Sequence, residues 1–313
     1  MAGTPTTREA FYTRKPTGRR FELTDRDHTV LMQLALRRFL RKSQLLSYVG
    51  GSEQMLAWRL KKMFDYKLIS RPRRQIAVLA DEPSPDGVYA LTMTGARIVA
   101  SRHGWDLERF AHLGKNERVG AEFILHAVGM ADVTLSFALG APSAGLTGLR
   151  EQRDLIPDFP LETQKRRNPF LWQTRRVPYD DRYHDINLVP DWVLSLITPK
   201  DERYNLLLEF DRTLTIRPHV SHFRRNTNAW KLAAYTHGFR TDVHSRDFGF
   251  QRMRVAFITT TPLRVAKLAD LARDITHDSL PGLFLFTDIQ KVRTQGVYAP
   301  IWTTSRGDTV ALL

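Results

Sequence analysis

Two short acidic strings lie on neighbouring apolar runs: Pro190-Asp191 opens DWVLSLI, and Glu209-Phe210-Asp211 closes YNLLLEFD. The stretch ITPKDER between the runs is short enough to join them as a hairpin. Side chains alternate along a strand, so Glu209 and Asp211 share a face, and Asp191 can sit beside them on the paired strand. Carboxylates gathered on one face repel unless something cationic relieves them. One solution is a divalent metal, because hard oxygen ligands suit Mg²⁺ or Mn²⁺. The other is local pairing, with Glu209 on an arginine such as Arg212 and Asp211 capping a turn. A helix expected over 221–235 adds Lys231 and Tyr235, which share a face at i and i+4. A lysine beside such carboxylates can hold a phosphate, orient a water or stabilise charge that develops during phosphodiester cleavage.

Positioning these groups requires a sheet. Strand patterns at 146–149, 191–197 and 204–211 are followed by RVAFITTT, a helix over 262–276, GLFLFTDI and VYAPIWTT. Strands alternating with helices predict a mixed α/β sheet flanked by helices. The basic stretch KRRNPFLWQTRRVP ahead of Asp191 reads as a surface loop. Lys165, Arg166, Arg167, Arg175 and Arg176, with Phe170 and Trp172 among them, suit either a strand-tracking groove with stacked bases or a solvated insertion.

The first part of the chain has a different rhythm. Thr24 can cap a helix whose buried stripe is Val30, Leu31, Leu34 and Leu36. Ser43 can start a short second helix that ends at Gly50-Gly51, and Ser52-Glu53 a third. Strand patterns at 75–79 and 88–91 flank a turn with Pro83, Pro85 and Gly87. Three helices followed by a hairpin resemble a winged helix-turn-helix, whose third helix enters the major groove. That reading makes Arg59, Lys61 and Lys62 DNA contacts, with Arg71, Arg73 and Arg74 at the wing base on phosphate. The expected organisation is a flexible basic arm over 1–20, the winged helix over 21–112, a connecting helix over 113–142 and the α/β domain over 143–313. His126, on the connecting helix, stands among apolar neighbours and reads as a packed side chain.

Composition narrows the partner. Against 33 Asp+Glu the chain carries 47 Lys+Arg, a formal charge of +14, which attracts phosphate chains. Cysteine is absent, excluding disulfides, thiolate zinc sites and cysteine nucleophiles. No P-loop lysine motif marks nucleotide hydrolysis. No apolar run approaches the roughly 20 residues that span a bilayer, and the opening residues lack a secretion signal's apolar centre. DNA is the expected partner, a membrane is not, and the expected place is the cytoplasm.

The succession of winged helix, histidine-bearing connecting helix, PDWVLSL, LLLEFDR, KLAAY, RVAFITTTPLR and YAPIW resembles the bacterial plasmid replication-relaxation family over nearly the whole chain after the arm. The second half also resembles a divergent PD-(D/E)XK nuclease fold, and some mobilization relaxases are similar. The resemblance implies an α+β chain of two domains, a winged helix followed by a nuclease-like sheet. It implies Asp191, Glu209, Asp211 and Lys231 as the catalytic set, and Asp191, Glu209, Asp211 and Glu151 as ligands of Mg²⁺ or Mn²⁺, with Glu151 as an upstream helix carboxylate. Asp211 stands where that nuclease pattern has lysine, so Lys231 would supply the cation. Three activities follow: metal-dependent nicking in plasmid or mobile-element replication, relaxation or mobilization; a catalytically inactive replication or transfer accessory; or a winged-helix transcription regulator. A second copy of the chain and replication or transfer proteins are the further partners implied.

Overall fold

A computed structural model describes residues 11–15, 18, 21–77, 86–179, 181–212 and 227–313. The chain divides into two compact units, Met1–Ala131 and Asp132–Leu313.

In the first unit, helix α1 (Asp25–Arg37) starts where expected: the Thr24 hydroxyl accepts from the Asp27 amide while the Asp27 carboxylate accepts from the Thr24 amide, a reciprocal cap. Its Val30, Leu31 and Leu34 are buried. Strand β1 (Phe39–Arg41) follows, then α2 (Lys42–Val49), α3 (Glu53–Asp65) capped by Ser52, β2 (Ile69–Ser70), β3 (Val88–Leu91) and α4 (Met93–His103). The three strands form an antiparallel sheet in the order β1-β3-β2.

Two expectations fail here. The strand predicted at 75–79 is replaced over Arg73–Ala77 by a 3-10 turn. The reason lies in Gln75, a fully buried side chain whose amide both accepts from Val88 N (2.6 Å) and donates to Val88 O (3.0 Å), imitating a strand's backbone. Strand β1, which the sequence did not signal, pairs with β3. The second helix is correspondingly capped at Arg41, with the Gln44 side chain accepting from the Arg41 amide, whereas Ser43 bonds Asp86. Pro83, Pro85 and most of the 1–20 arm lie outside the described residues.

The link after α4 is a 3-10 segment, Leu107–Arg118, before α5 (Ala121–Gly140). Contrary to expectation, α5 is long and apolar enough to cross a membrane by length and composition, and half of its most apolar window is buried inside the protein. Ile124 and Val128 pack with Phe39, Val88 and Ala90 in the first unit. In the second, the Ser136 hydroxyl accepts from Val297 N (3.1 Å) and the Tyr298 hydroxyl donates to Phe137 O (3.0 Å).

The second unit continues with β4 (Gly148–Glu151), a 3-10 turn over Gln152–Asp158, α6 (Leu161–Gln164), β5 (Trp172–Tyr179), β6 (Arg182–Leu188), β7 (Trp192–Ile197), β8 (Arg203–Asp211), α7 (Asn228–Arg240), α8 (Val243–Phe248), β9 (Met253–Thr259), α9 (Pro262–Thr276), β10 (Phe284–Asp288), α10 (Ile289–Gln295), β11 (Trp302–Thr304) and β12 (Thr309–Val310). Seven strands form one sheet in the order β12-β11-β10-β9-β8-β7-β4, parallel across β8-β9-β10 and antiparallel elsewhere. The expected mixed sheet is therefore present. The helix expected over 221–235 begins, within the described residues, at Asn228, where the Thr227 hydroxyl accepts from Trp230 N.

The basic stretch departs from a surface loop. Its second half is β5, paired with β6 as a separate hairpin. Trp172 is 0% exposed, donates its indole N–H to Ala234 O (3.2 Å), and packs against Tyr235 and Phe248; Phe170 is also buried. Neither ring offers a face for base stacking: Trp172 is hidden with the hairpin's apolar side against α7, and Phe170, just ahead of the hairpin, packs edge-on against Phe159. Gly238 permits that approach: a Cβ there would lie 2.5 Å from the Trp172 ring.

Candidate functional site

The β7–β8 hairpin sets Trp192 opposite Leu208, which brings Asp191 to the end of β8, where its Oδ2 accepts from Phe210 N at 2.8 Å. Glu209 and Asp211 are 1% and 2% exposed. Sheet alternation gives the two a common face, yet each meets a different cation. Lys231 and Tyr235, one turn apart on α7, both reach Glu209: the ammonium donates to Oε2, and the hydroxyl donates to Oε1. Asp211, which is in register with Thr259, is held by Arg264 from the first turn of α9. That guanidinium donates to Asp211 Oδ2 through Nε (3.1 Å) and Nη2 (2.5 Å), and Nε also faces Thr259 Oγ1 (3.2 Å).

The electrostatics follow from burial. Loss of water and the neighbouring Asp191 charge push the Glu209 carboxyl up to about 7, against the opposing pull of Lys231 and Tyr235. Burial alone would lower the Lys231 ammonium, but Glu209, Asp191 and Asp211 outweigh it and hold it above the ordinary lysine value. Burial, then Glu209, raises the Tyr235 hydroxyl well above its usual range. Near neutrality Glu209 is therefore close to its titration midpoint beside a charged lysine.

The donor set does not fit a metal as drawn from sequence. Both Glu209 oxygens face Lys231 and Tyr235, an Asp211 oxygen faces Arg264, and an Asp191 oxygen faces a backbone amide. Among the described residues no group of three or more His, Cys, Asp or Glu side chains is placed to hold a metal ion. Glu151, implied to lie on an upstream helix, instead closes β4, paired with Leu194, and accepts from the Trp192 indole at 3.1 Å. Arg264, absent from the expected set, carries the charge that sequence reading assigned to a metal. Its only advance signal was its place in RVAFITTTPLR, just past a strand end, where a helix-start arginine reaches back over the sheet.

The predicted DNA contacts of the first unit are partly occupied. Arg59 clasps Asp27, donating also to Glu22 O (2.9 Å), and lies over the Phe21 ring. Burial would raise Asp27, but Arg59 and Thr24 hold it below the usual carboxylate value. Lys61 pairs with Asp65 at 2.5 Å. Arg71 is buried among Phe11, Phe64 and Tyr89, and burial lowers its guanidinium from the ordinary value. Lys62 lies 5.7 Å from the Trp58 ring, and Arg73 and Arg74 are exposed. Sequence reading missed Met55 and Trp58, which α3 leaves half exposed at i and i+3.

Compared with known proteins, the chain matches the sequence pattern of a family described as replication-relaxation over residues 31–251, more than half its length. No curated protein and no solved structure matches.

Proposed function

The chain belongs to the replication-relaxation family, and from that premise we propose that it is a cytoplasmic DNA-binding protein of plasmid or mobile-element replication or relaxation, acting as an accessory rather than through a metal-dependent cut. The observation that carries the reading is the pairing of the buried carboxylates: Lys231 on Glu209 and Arg264 on Asp211 neutralise them from within the fold. The first unit is read as a winged helix because three helices, with a short strand after the first, lead into an antiparallel sheet whose last strand lies in the middle. On that reading α3 faces DNA with Met55, Trp58 and Lys62, whereas Arg59 ties α3 to α1 through Asp27 and Lys61 pairs with Asp65 within α3. The net charge of +14 supplies the attraction.

Nicking is the second reading. It is favoured by Asp191 beside a Glu209 carboxyl pushed up to about 7, and in it the second unit is a nuclease-like fold. Mg²⁺ or Mn²⁺ would then need side-chain positions other than those described above.

One experiment separates the two. Supercoiled plasmid is incubated with the protein and Mn²⁺ or Mg²⁺, beside Asp191→Ala and Glu209→Gln, and both gel retardation and nicked product are followed. The accessory reading expects retardation by all three proteins without nicked product. Nicked product from wild type but not from the variants transfers the conclusion to the second reading, and absence of both retardation and nicked product defeats both.

A further inference from the structure

A cleft of about 850 Å³ opens beside the start of β5 in the second unit, and Arg153, Arg166, Arg167, Asn168 and Gln173 are among the residues that line it. Among the described residues that line it there is no carboxylate. Arg166 is tied to Asp247, which Arg246 also engages. Arg153, in the 3-10 turn after β4, and Arg167, in the loop after α6, are exposed. Beyond the cleft, Gln173 and Arg175 both face outward on β5, two residues apart, so the basic edge continues along the strand. Ile156, Pro169, Leu171 and the 8%-exposed Phe170 also line the cleft as apolar surface, Trp172 is turned into the core, and the polar groups presented are guanidinium and amide. Such groups suit phosphate oxygens better than base faces.

We propose that the cleft is a phosphate site for a nucleic-acid strand, in which Arg153 and Arg167, with Arg175 on the edge beyond it, engage the backbone and read no base. The proposal rests on the DNA-binding reading and adds to it a contact surface in the second unit, apart from α3 of the first. A strand is favoured over a free phosphate ion because the cleft is open and its positive edge runs on to Arg175. A small anion is held better by converging donors in a closed pocket.

The test measures affinity of the full chain for a labelled 30-base-pair duplex and a 30-nucleotide single strand, each of two unrelated sequences, across a sodium chloride series. Arg153→Ala/Arg167→Ala is compared with Arg153→Lys/Arg167→Lys, and melting curves check that both remain folded. The expected result is a salt slope shallower by about 2 for the alanine pair, equal weakening on both sequences, and recovery by the lysine pair. Unchanged slope and affinity in the alanine pair, with wild type binding normally, overturns the cleft while leaving the DNA-binding reading intact. Binding of inorganic phosphate alone, lost in the alanine pair while DNA affinity is unaffected, overturns the strand as the occupant. If wild type binds neither probe, the DNA reading fails and the cleft proposal with it.

Discussion

Glu209 concentrates the chemistry of the second unit because its charge has been taken out of water and given two donors, Lys231 and Tyr235. Replacing Lys231 by Met leaves that carboxylate without its cation, so Lys231→Met is expected to lower stability by about 3 kcal/mol. The double variant with Glu209→Gln should cost less than the two single changes together, as read by urea unfolding. The pH dependence has a definite sign. The Glu209 carboxyl lies at about 7 when folded, against 4.5 as its ordinary value. The folded state therefore holds an extra proton between those values. The associated stability is complete below about 4.5 and is lost as pH rises through about 7. Melting temperatures of wild type should accordingly fall relative to Glu209→Gln across that window, and parallel curves would show that another group titrates. The spacing of Lys231 and Tyr235 was legible in the sequence as one helix face. Their shared target was not, because helical periodicity says which residues point together and nothing about what they point at.

At the scale of the element, α3 shows why basic residues on an amphipathic helix mislead. Arg59 faces back toward α1, where Asp27 is needed for the Thr24 cap and is itself 2% exposed. Arg59→Ala is expected to destabilise the unit by about 2 kcal/mol, the loss of a charged hydrogen-bonded pair, and to leave the DNA affinity of the remaining folded protein within about twofold. Lys62→Ala should do the reverse, lowering affinity with the melting temperature unchanged. A fall in affinity for Arg59→Ala that exceeds its unfolded fraction would restore that residue to the contact surface. Helix starts were legible at Thr24, Ser52 and Pro262, since a capping hydroxyl or a first-turn proline is a local signal. Strand β1 and the β5–β6 hairpin were not. Three residues pair with β3 only because the chain returns 47 residues later (from Arg41 to Val88), and a run of arginines hides the alternation that buries Trp172, Thr174 and Val177.

For the whole molecule, a formal charge of +14 makes association with DNA a matter of counterion release. Between 50 and 200 mM salt, affinity for duplex DNA is expected to drop by about a thousandfold if some six phosphates are contacted. A salt-independent affinity, measured by fluorescence anisotropy, would remove electrostatics as the driving term. The sequence by itself determined the basic character, the absence of thiol chemistry, most helices and the β7–β8 hairpin, because composition and short-range periodicity are properties of the chain alone. Tertiary structure decided that Glu209 and Asp211, neighbours on one strand face, are neutralised by Lys231 and Arg264, and that Trp172 is core rather than surface. Those outcomes depend on which groups meet after distant segments pack. Burial then makes an unpaired charge too unfavourable to leave without a partner.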